Sequence, residues 1–131
     1  MDLNSLDVVK RAEDGEWMDL LDPVTGQALI DEETKETVSI QLAGADSKRF
    51  RRAQHETAQR RKNRRGEVSP EEADATVVDW LLSVTLSWRH IVVGESLPFS
   101  EQNARTLYTR FPWIREQVST FIQDRKNYLG N

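Results

Sequence analysis

The spacing of apolar positions changes along the chain, and each change predicts a different element. Over residues 5–13, Leu6, Val9 and Ala12 recur every third position, which predicts a short helix ending near Gly15. Two apolar stretches, WMDLL from Trp17 and QALI to Ile30, then flank Asp22, Pro23, Val24, Thr25 and Gly26. Proline presets the turn dihedral and glycine closes it, so this stretch predicts a β-hairpin. A polar loop, DEETKE, follows at 31–36. In TVSIQLA, Val38, Ile40 and Leu42 alternate with polar neighbours, the pattern of a strand with one buried face. The first third of the chain therefore reads as a small antiparallel sheet.

From residue 46 onward the pattern is helical. The stretch ADSKRFRRAQHETAQRRKNRR has no proline, glycine or strand alternation, and Asp46 or Ser47 can cap a helix that runs to about Arg65 and stops at Gly66. Ser69, Pro70 and Glu72 form the clearest helix start in the chain, with a capping hydroxyl, a proline at the first helical position and a capping-box carboxylate. Beyond it, Val77, Trp80, Leu81, Val84, Trp88, Ile91 and Val92 fall at three- and four-residue spacings, predicting one long core helix up to Gly94. The linker ESLPFS leads to a cap at Ser100 and a shorter helix buried through Ala104, Leu107, Tyr108 and Phe111. Pro112 ends that helix or starts the next. The last helix is expected over 113–128, with Ile114, Val118, Phe121 and Ile122 on one face, Arg125 and Lys126 at its C-terminal dipole and Gly130 as its stop. The expected fold class is α+β, predominantly α: a small N-terminal antiparallel sheet followed by a bundle of about four helices. A chain of 131 residues is expected to be a single domain, with an acidic β-rich part at 1–45 and a helical part at 46–131.

Composition narrows the function classes. The absence of cysteine excludes disulfides, thiolate nucleophiles and thiolate metal sites. The acidic N-terminal stretch, MDLNSLDVVKRAEDGEW, is not read as a secretory signal, and the most apolar window, 76–93, is interrupted by Asp79, Arg89 and His90. No membrane segment is expected, and the protein is expected in the cytoplasm. Charge is arranged in blocks: residues 1–45 hold 11 acids and 3 bases, residues 46–65 hold 9 bases and 2 acids, and residues 66–131 hold 6 bases and 9 acids.

The basic block is the first candidate for binding. Arg51, Arg52, Arg60, Arg61, Lys62, Arg64 and Arg65 can grip an anionic surface, while the helix carrying them has a poor apolar face of Phe50, Ala53, Thr57 and Ala58. Like charges four residues apart, such as Arg60 with Arg64, cost a few tenths of a kcal/mol each, so an acidic surface is expected nearby. Three readings follow, in descending order: packing on the chain's own first 45 residues, docking on an acidic partner, or binding nucleic-acid phosphates. The overall acidity, and the lack of any RRM, KH or zinc signature, weigh against nucleic acid. Of the tryptophans, Trp80 and Trp88 fall on the apolar stripe and are assigned to the core, whereas Trp17 and Trp113, at element boundaries, are candidate partner contacts. His55 and His90 lack ligand spacing or a nucleophile motif, Asp31, Glu32 and Glu33 sit in a solvated loop, and no glycine pattern cradles phosphate. No catalytic residue, cofactor site or metal site is assigned.

Three stretches carry a family resemblance: GEWMDLLDPVTGQAL at 15–29, GADSKRFRRAQHE at 44–56, and WRHIVVGESLPFSEQNARTLYTRFPWIREQVSTFIQDRKNYLG at 88–130. In this order they resemble the tail assembly chaperones of long-tailed, non-contractile bacteriophages and their prophages. The resemblance implies a non-enzymatic, oligomeric protein, ring- or spiral-like, that binds the tape measure protein in the host cytoplasm and is absent from the mature virion. It also implies that a longer, frameshifted form recruits the major tail tube protein. The rival classes are a nucleic-acid-binding regulator using residues 46–65 and a structural tail completion component.

Overall fold

In the computed structural model, which describes residues 1–129, a 3-10 turn at Leu3–Leu6 leads into α1 (Val9–Asp14), β1 (Glu16–Asp19) and β2 (Ser39–Leu42). Helices α2 (Lys48–Asn63) and α3 (Pro70–Val84) follow, then β3 (Thr85–Arg89) and a small hairpin of β4 (Val92–Val93) and β5 (Glu95–Ser96). The chain ends in α4 (Glu101–Arg110), α5 (Pro112–Gln123) and a 3-10 turn at Arg125–Tyr128. The fold class is the expected one, α+β and mostly helical.

The helix starts lie where the side chains could make them. The Ser47, Ser69 and Ser100 hydroxyls accept the backbone N–H of Phe50, Glu72 and Asn103 at 3.1, 3.1 and 3.0 Å. The expected helix over 5–13 is broken at Asp7, whose carboxylate accepts the Val9 N–H at 3.0 Å and restarts the chain. Of its three apolar positions only Ala12 is buried.

The excursion between β1 and β2 is less regular than a hairpin. The Asp22 carboxylate accepts from Val24 and Thr25 and shapes the expected turn, but QALI joins its neighbours only through the isolated bridges Leu21↔Ala28 and Ile30↔Thr37. A second turn is built by Asp31, which accepts both the N–H and the hydroxyl of Thr34 at 2.9 Å. These bonds hold the Asp31 carboxyl below the usual carboxylate range, with a smaller contribution from His90.

The largest departure concerns the core helix expected to reach Gly94. It ends at Val84, and residues 85–89 form β3 instead, which pairs with β2 in a sheet ordered β1-β2-β3, antiparallel throughout. The switch has a local cause. Ala43 donates its N–H to the Val84 carbonyl at 2.8 Å, so the end of β2 takes the acceptor that the next helical turn would have used. Threonine 85 is β-branched and suits a strand, and Trp88 then faces Ile40 across the sheet. The apolar spacing Val84 to Trp88 suits a helix, but it brings Trp88 equally onto the core face of a strand that carries a bulge opposite Gln41 and Leu42. Leu86, at that irregularity, crowds Gly15: a Cβ built there would stand 2.5 Å from its methyl, and Gly15 has φ +86. The strand also means that residues 46–131 are not purely helical, because they complete the sheet begun in the first third.

One core joins the two layers. Met18, Ile40, Leu42 and Trp88 from the sheet pack with Leu81, Val84, Leu107, Tyr108, Val118 and Ile122 from the helices. The buried Thr85 hydroxyl donates to the Leu81 carbonyl at 2.7 Å, so the Tyr108 hydroxyl, also at 2.7 Å, donates to Thr85. Burial pushes the Tyr108 phenol up and keeps it protonated, against the opposing effect of the Thr85 bond.

The last expected helix also breaks early. Asp124 caps the closing 3-10 turn, and the chain folds back so that Tyr128 is buried with its hydroxyl donating to the Leu42 carbonyl at 3.1 Å. Arg125 therefore does not serve a helix dipole. It grips Asp46 through two bonds of 2.8 and 2.9 Å, tying the end of the fold to the start of α2. Gly130 lies outside the described residues.

Two outcomes are expected from this closure. A Cβ at Gly44 would stand 3.0 Å from both the Ala12 methyl and the Tyr128 ring, so Gly44→Ala should lower unfolding stability by about 1–3 kcal/mol in a urea titration. The Arg125 hydrogen bonds and charge, with a smaller contribution from the Arg51 charge, hold the Asp46 carboxyl below the usual carboxylate range against the effect of burial. A depressed folded pKa stabilises fully above the unfolded value and is lost as pH falls through the folded one. Between about pH 5 and pH 2, the wild-type denaturation midpoint should thus fall more steeply than that of Asp46→Asn.

Candidate functional site

Helices α2 and α3 pack face to face, and the partners of each α2 residue follow from its place on the helix. Phe50 and Ala53 are buried and Thr57 is half-buried, with the Phe50 ring edge-on to Trp80 at 5.2 Å. Arg60 and Arg64 prolong this side as ion pairs: Arg60 meets Asp79 at 3.0 Å, and Arg64 meets Glu72 and donates to the Glu67 carbonyl. The acids that answer the basic helix thus come from α3 rather than from the first 45 residues. The acidic segment contributes one hydrogen bond at the helix start, from the Lys48 N–H to the Glu13 carboxylate at 2.7 Å.

The adjoining side of α2 is left open. Arg51, Gln54, His55, Ala58 and Arg61 recur at three- and four-residue steps and form one wall of a groove of about 680 Å³. Thr76, Val77 and Trp80 of α3 form the other wall, and Ser119 of α5 also lines the groove. Val77 is 42% exposed and Trp80 is half-buried, so the groove has an apolar floor beneath a cationic rim. Among the described residues, no carboxylate lies within ion-pair distance of Arg49, Arg51, Arg52, Arg61, Lys62 or Arg65.

The basic residues singled out from the sequence therefore divide in two. Arg60 and Arg64 are structural clamps, Arg51 and Arg61 border the groove, and Arg52, Lys62 and Arg65 are exposed beside it. Trp17 and Trp113 are in neither group. Trp17 lies on the outer side of the sheet under the Arg89 guanidinium, 3.7 Å from its ring centre, and Trp113 packs edge-on to Phe111 at 6.2 Å. Trp88 is buried as expected, although on a strand.

Of the expected apolar stripe, Leu81, Val84, Trp88 and Ile91 are buried, whereas Val77 and Val92 are exposed and Trp80, assigned to the core, packs against it half-buried. Val78 takes the buried place expected of Val77. The doublets Val77-Val78 and Trp80-Leu81 carry the signal: they make α3 apolar over a wider arc than one packing layer covers.

Asp79 holds the groove walls together. Its carboxylate takes Arg105 of α4 at 2.7 Å and Arg60 of α2 at 3.0 Å, joining three helices. Its carboxyl is held below the usual range, mostly by the Arg105 hydrogen bond and then by Arg60, against partial burial.

Elsewhere, His90 closes β3 with φ +63 and meets Glu36 at 3.0 Å and Asp31 at 3.9 Å. Among the described residues, no group of three or more histidine or acidic side chains is arranged to hold a metal ion. No helix among them is long and apolar enough to cross a membrane. A second, shallower groove lies beside β1, with Met18, Leu21 and Phe121 under an acidic rim of Asp19, Glu116 and Asp124. There the Gln117 amide accepts the Leu21 N–H at 2.9 Å and donates to its carbonyl at 2.8 Å, satisfying backbone where the sheet ends.

No protein-family model, curated protein or solved structure matches the chain.

Asp79→Asn should weaken both bridges while leaving the core intact. The pairs are partly exposed, so the expected loss is about 0.5–1 kcal/mol of stability. It should come with a shift of tryptophan emission as α2 moves relative to Trp80, and an unchanged spectrum would show that Asp79 does not position the groove.

Proposed function

We propose that this chain is a non-catalytic protein-binding protein, a tail assembly chaperone of a long-tailed bacteriophage or prophage, whose basic groove seats helical segments of the tape measure protein. The observation that carries the reading is the pairing of exposed Val77 and half-buried Trp80 with Arg51 and Arg61, neither of which meets a carboxylate of the described residues within ion-pair distance. An amphipathic helix would bury its apolar side on Val77 and Trp80 and set flanking acids against the arginines. Phosphates could use the same arginines but would leave the apolar floor unused. The resemblance of residues 15–29, 44–56 and 88–130 to tail chaperones supplies the particular client.

In this reading a single site is small and binds weakly, and an oligomer, as a ring or spiral, reaches useful affinity by engaging a long client at many points. The protein acts in the host cytoplasm and leaves before the virion matures. A longer, frameshifted form would bring the major tail tube protein to the shielded client.

Coexpression with the tape measure protein is expected to yield a soluble complex that neither chain gives alone, detected by pull-down and size exclusion. The double variant Arg51→Glu, Arg61→Glu should weaken it at least tenfold, equivalent to about 1.4 kcal/mol, without a change in unfolding midpoint. An equally tight complex from that variant would remove the groove from the mechanism. No complex at all, with salt-sensitive DNA binding or retention of the chain in virions, would favour the regulator or the structural component.

A further inference from the structure

The N-terminal segment has the chemistry that the basic groove lacks. Leu3, Leu6 and Val9 are 72%, 46% and 51% exposed, an unusual placement for three apolar residues in regular spacing. Residues three apart eclipse in a 3-10 turn, so Leu3 and Leu6 make one apolar edge. Asp2 and Asp7 flank that edge, and residues 1–9 contain no lysine, arginine or histidine, so that the Met1 α-amino group is their one cation. The hydrogen bonds of residues 2–7 are local: Asp2 caps Asn4, Asp7 caps Val9, and none of Leu3–Leu6 is buried. Nothing in the described fold covers this edge.

Leu3 and Leu6 lie roughly 6 Å apart along the 3-10 turn, and Val9 follows the break at Asp7, at the start of α1. The groove wall from Arg51 to Arg61 is ten helical rises long, about 15 Å, and so exceeds that edge in length. The segment does not line its own groove, and α1 behind it is held by the Ala12 carbonyl, which accepts the Gly44 N–H at 2.9 Å, and by Glu13 on Lys48.

We infer that residues 2–9 of one copy dock in the Arg51/Arg61 groove of a second copy, Leu3, Leu6 and Val9 on Val77 and Trp80, Asp2 and Asp7 against the arginines. The two surfaces differ, so the contact is heterologous: each copy offers one segment and one groove, and association proceeds head to tail. The area is well below that of a stable interface, so the contact is weak and reversible. A client helix would compete for the same groove. This inference rests on the groove being a protein-binding site, as proposed above, but not on the identity of the client.

Sedimentation velocity of the full chain from about 10 µM to about 1 mM, the range suited to a weak interface, tests it. Wild type should show a mass that rises with concentration, and Leu3→Ser with Leu6→Ser should weaken association roughly tenfold or more. The double variants Asp2→Lys, Asp7→Lys and Arg51→Glu, Arg61→Glu should each stay monomeric alone, because segment and groove then carry like charge. Mixed, they should associate, since each segment now matches the other's groove. A monomeric wild type, or variants that associate like it, would overturn the inference. So would a monomer whose tryptophan emission responds to Leu3→Ser at every concentration, which would mean docking within one chain. The two readings are distinguishable: Leu3→Ser, Leu6→Ser leaves the groove intact, so client capture without self-association removes this inference, and with it the preformed oligomer, but leaves the groove as the client site. Self-association without client capture removes only the chaperone reading.

Discussion

The fold turns on the change from helix to strand at Val84 and Thr85. Neither layer is complete without it. β1 and β2 alone present Met18, Ile40 and Leu42 on a two-stranded ribbon with an open edge along β2, and a ribbon of that size is marginal in water. By ending α3 at Val84, the chain supplies the third strand, places Trp88 opposite Ile40, and fixes α3 to the sheet through the Ala43–Val84 bond. The buried Thr85–Tyr108 bond then ties the junction to α4, and Tyr128 closes on the Leu42 carbonyl from the far end of the chain. An apolar core and a few satisfied polar groups at one junction hold sheet and helices in a single arrangement.

That arrangement determines what α2 can do. Helix α3 is committed on one side to the sheet, α4 and α5, so it meets α2 with its remaining arc. α2 has few apolar residues and buries only Phe50 and Ala53, leaving the rest of its attachment to ion pairs with Asp79 and Glu72. Such pairs, partly exposed, contribute little each, so α2 is anchored mainly through Phe50 and Ala53. The groove exists because the contact between these two helices is incomplete: Val77 and part of Trp80 stay uncovered beside Arg51 and Arg61, which form no ion pair among the described residues. In the proposed reading, a surface of that kind serves reversible binding of protein chains.

The charge blocks in the sequence predict first that the basic helix packs on the acidic first third. The structure pairs it with α3 instead, because Asp79 and Glu72 project from the helix that follows α2 and packs against it, whereas the first third is occupied in forming the sheet. The acidity of the N-terminal segment is thereby left over, as is the positive charge of the groove. A chain with both surpluses on separate surfaces is a candidate for self-recognition as well as for partner binding.

Local chemistry determined much of the architecture by itself. The caps at Ser47, Ser69 and Ser100, the proline at the start of α3, the turn at Asp22 and the alternation through Ile40 and Leu42 each act within a few residues, and all are where the sequence predicts them. The basic rim was legible too, as a run of arginines on one helix. What only the tertiary structure decided was the fate of segments whose apolar spacing suits two conformations. Residues 85–89 fit a helix or a bulged strand, and the open edge of β2 selected the strand. Residues 125–128 could have prolonged α5, but burial of Tyr128 and the Asp46 carboxylate waiting for Arg125 favoured the turn. The same holds for the groove: whether Trp80 is core or surface depends on how much of α3 its neighbours cover, and that coverage is set by contacts between elements distant in sequence, which no local spacing contains.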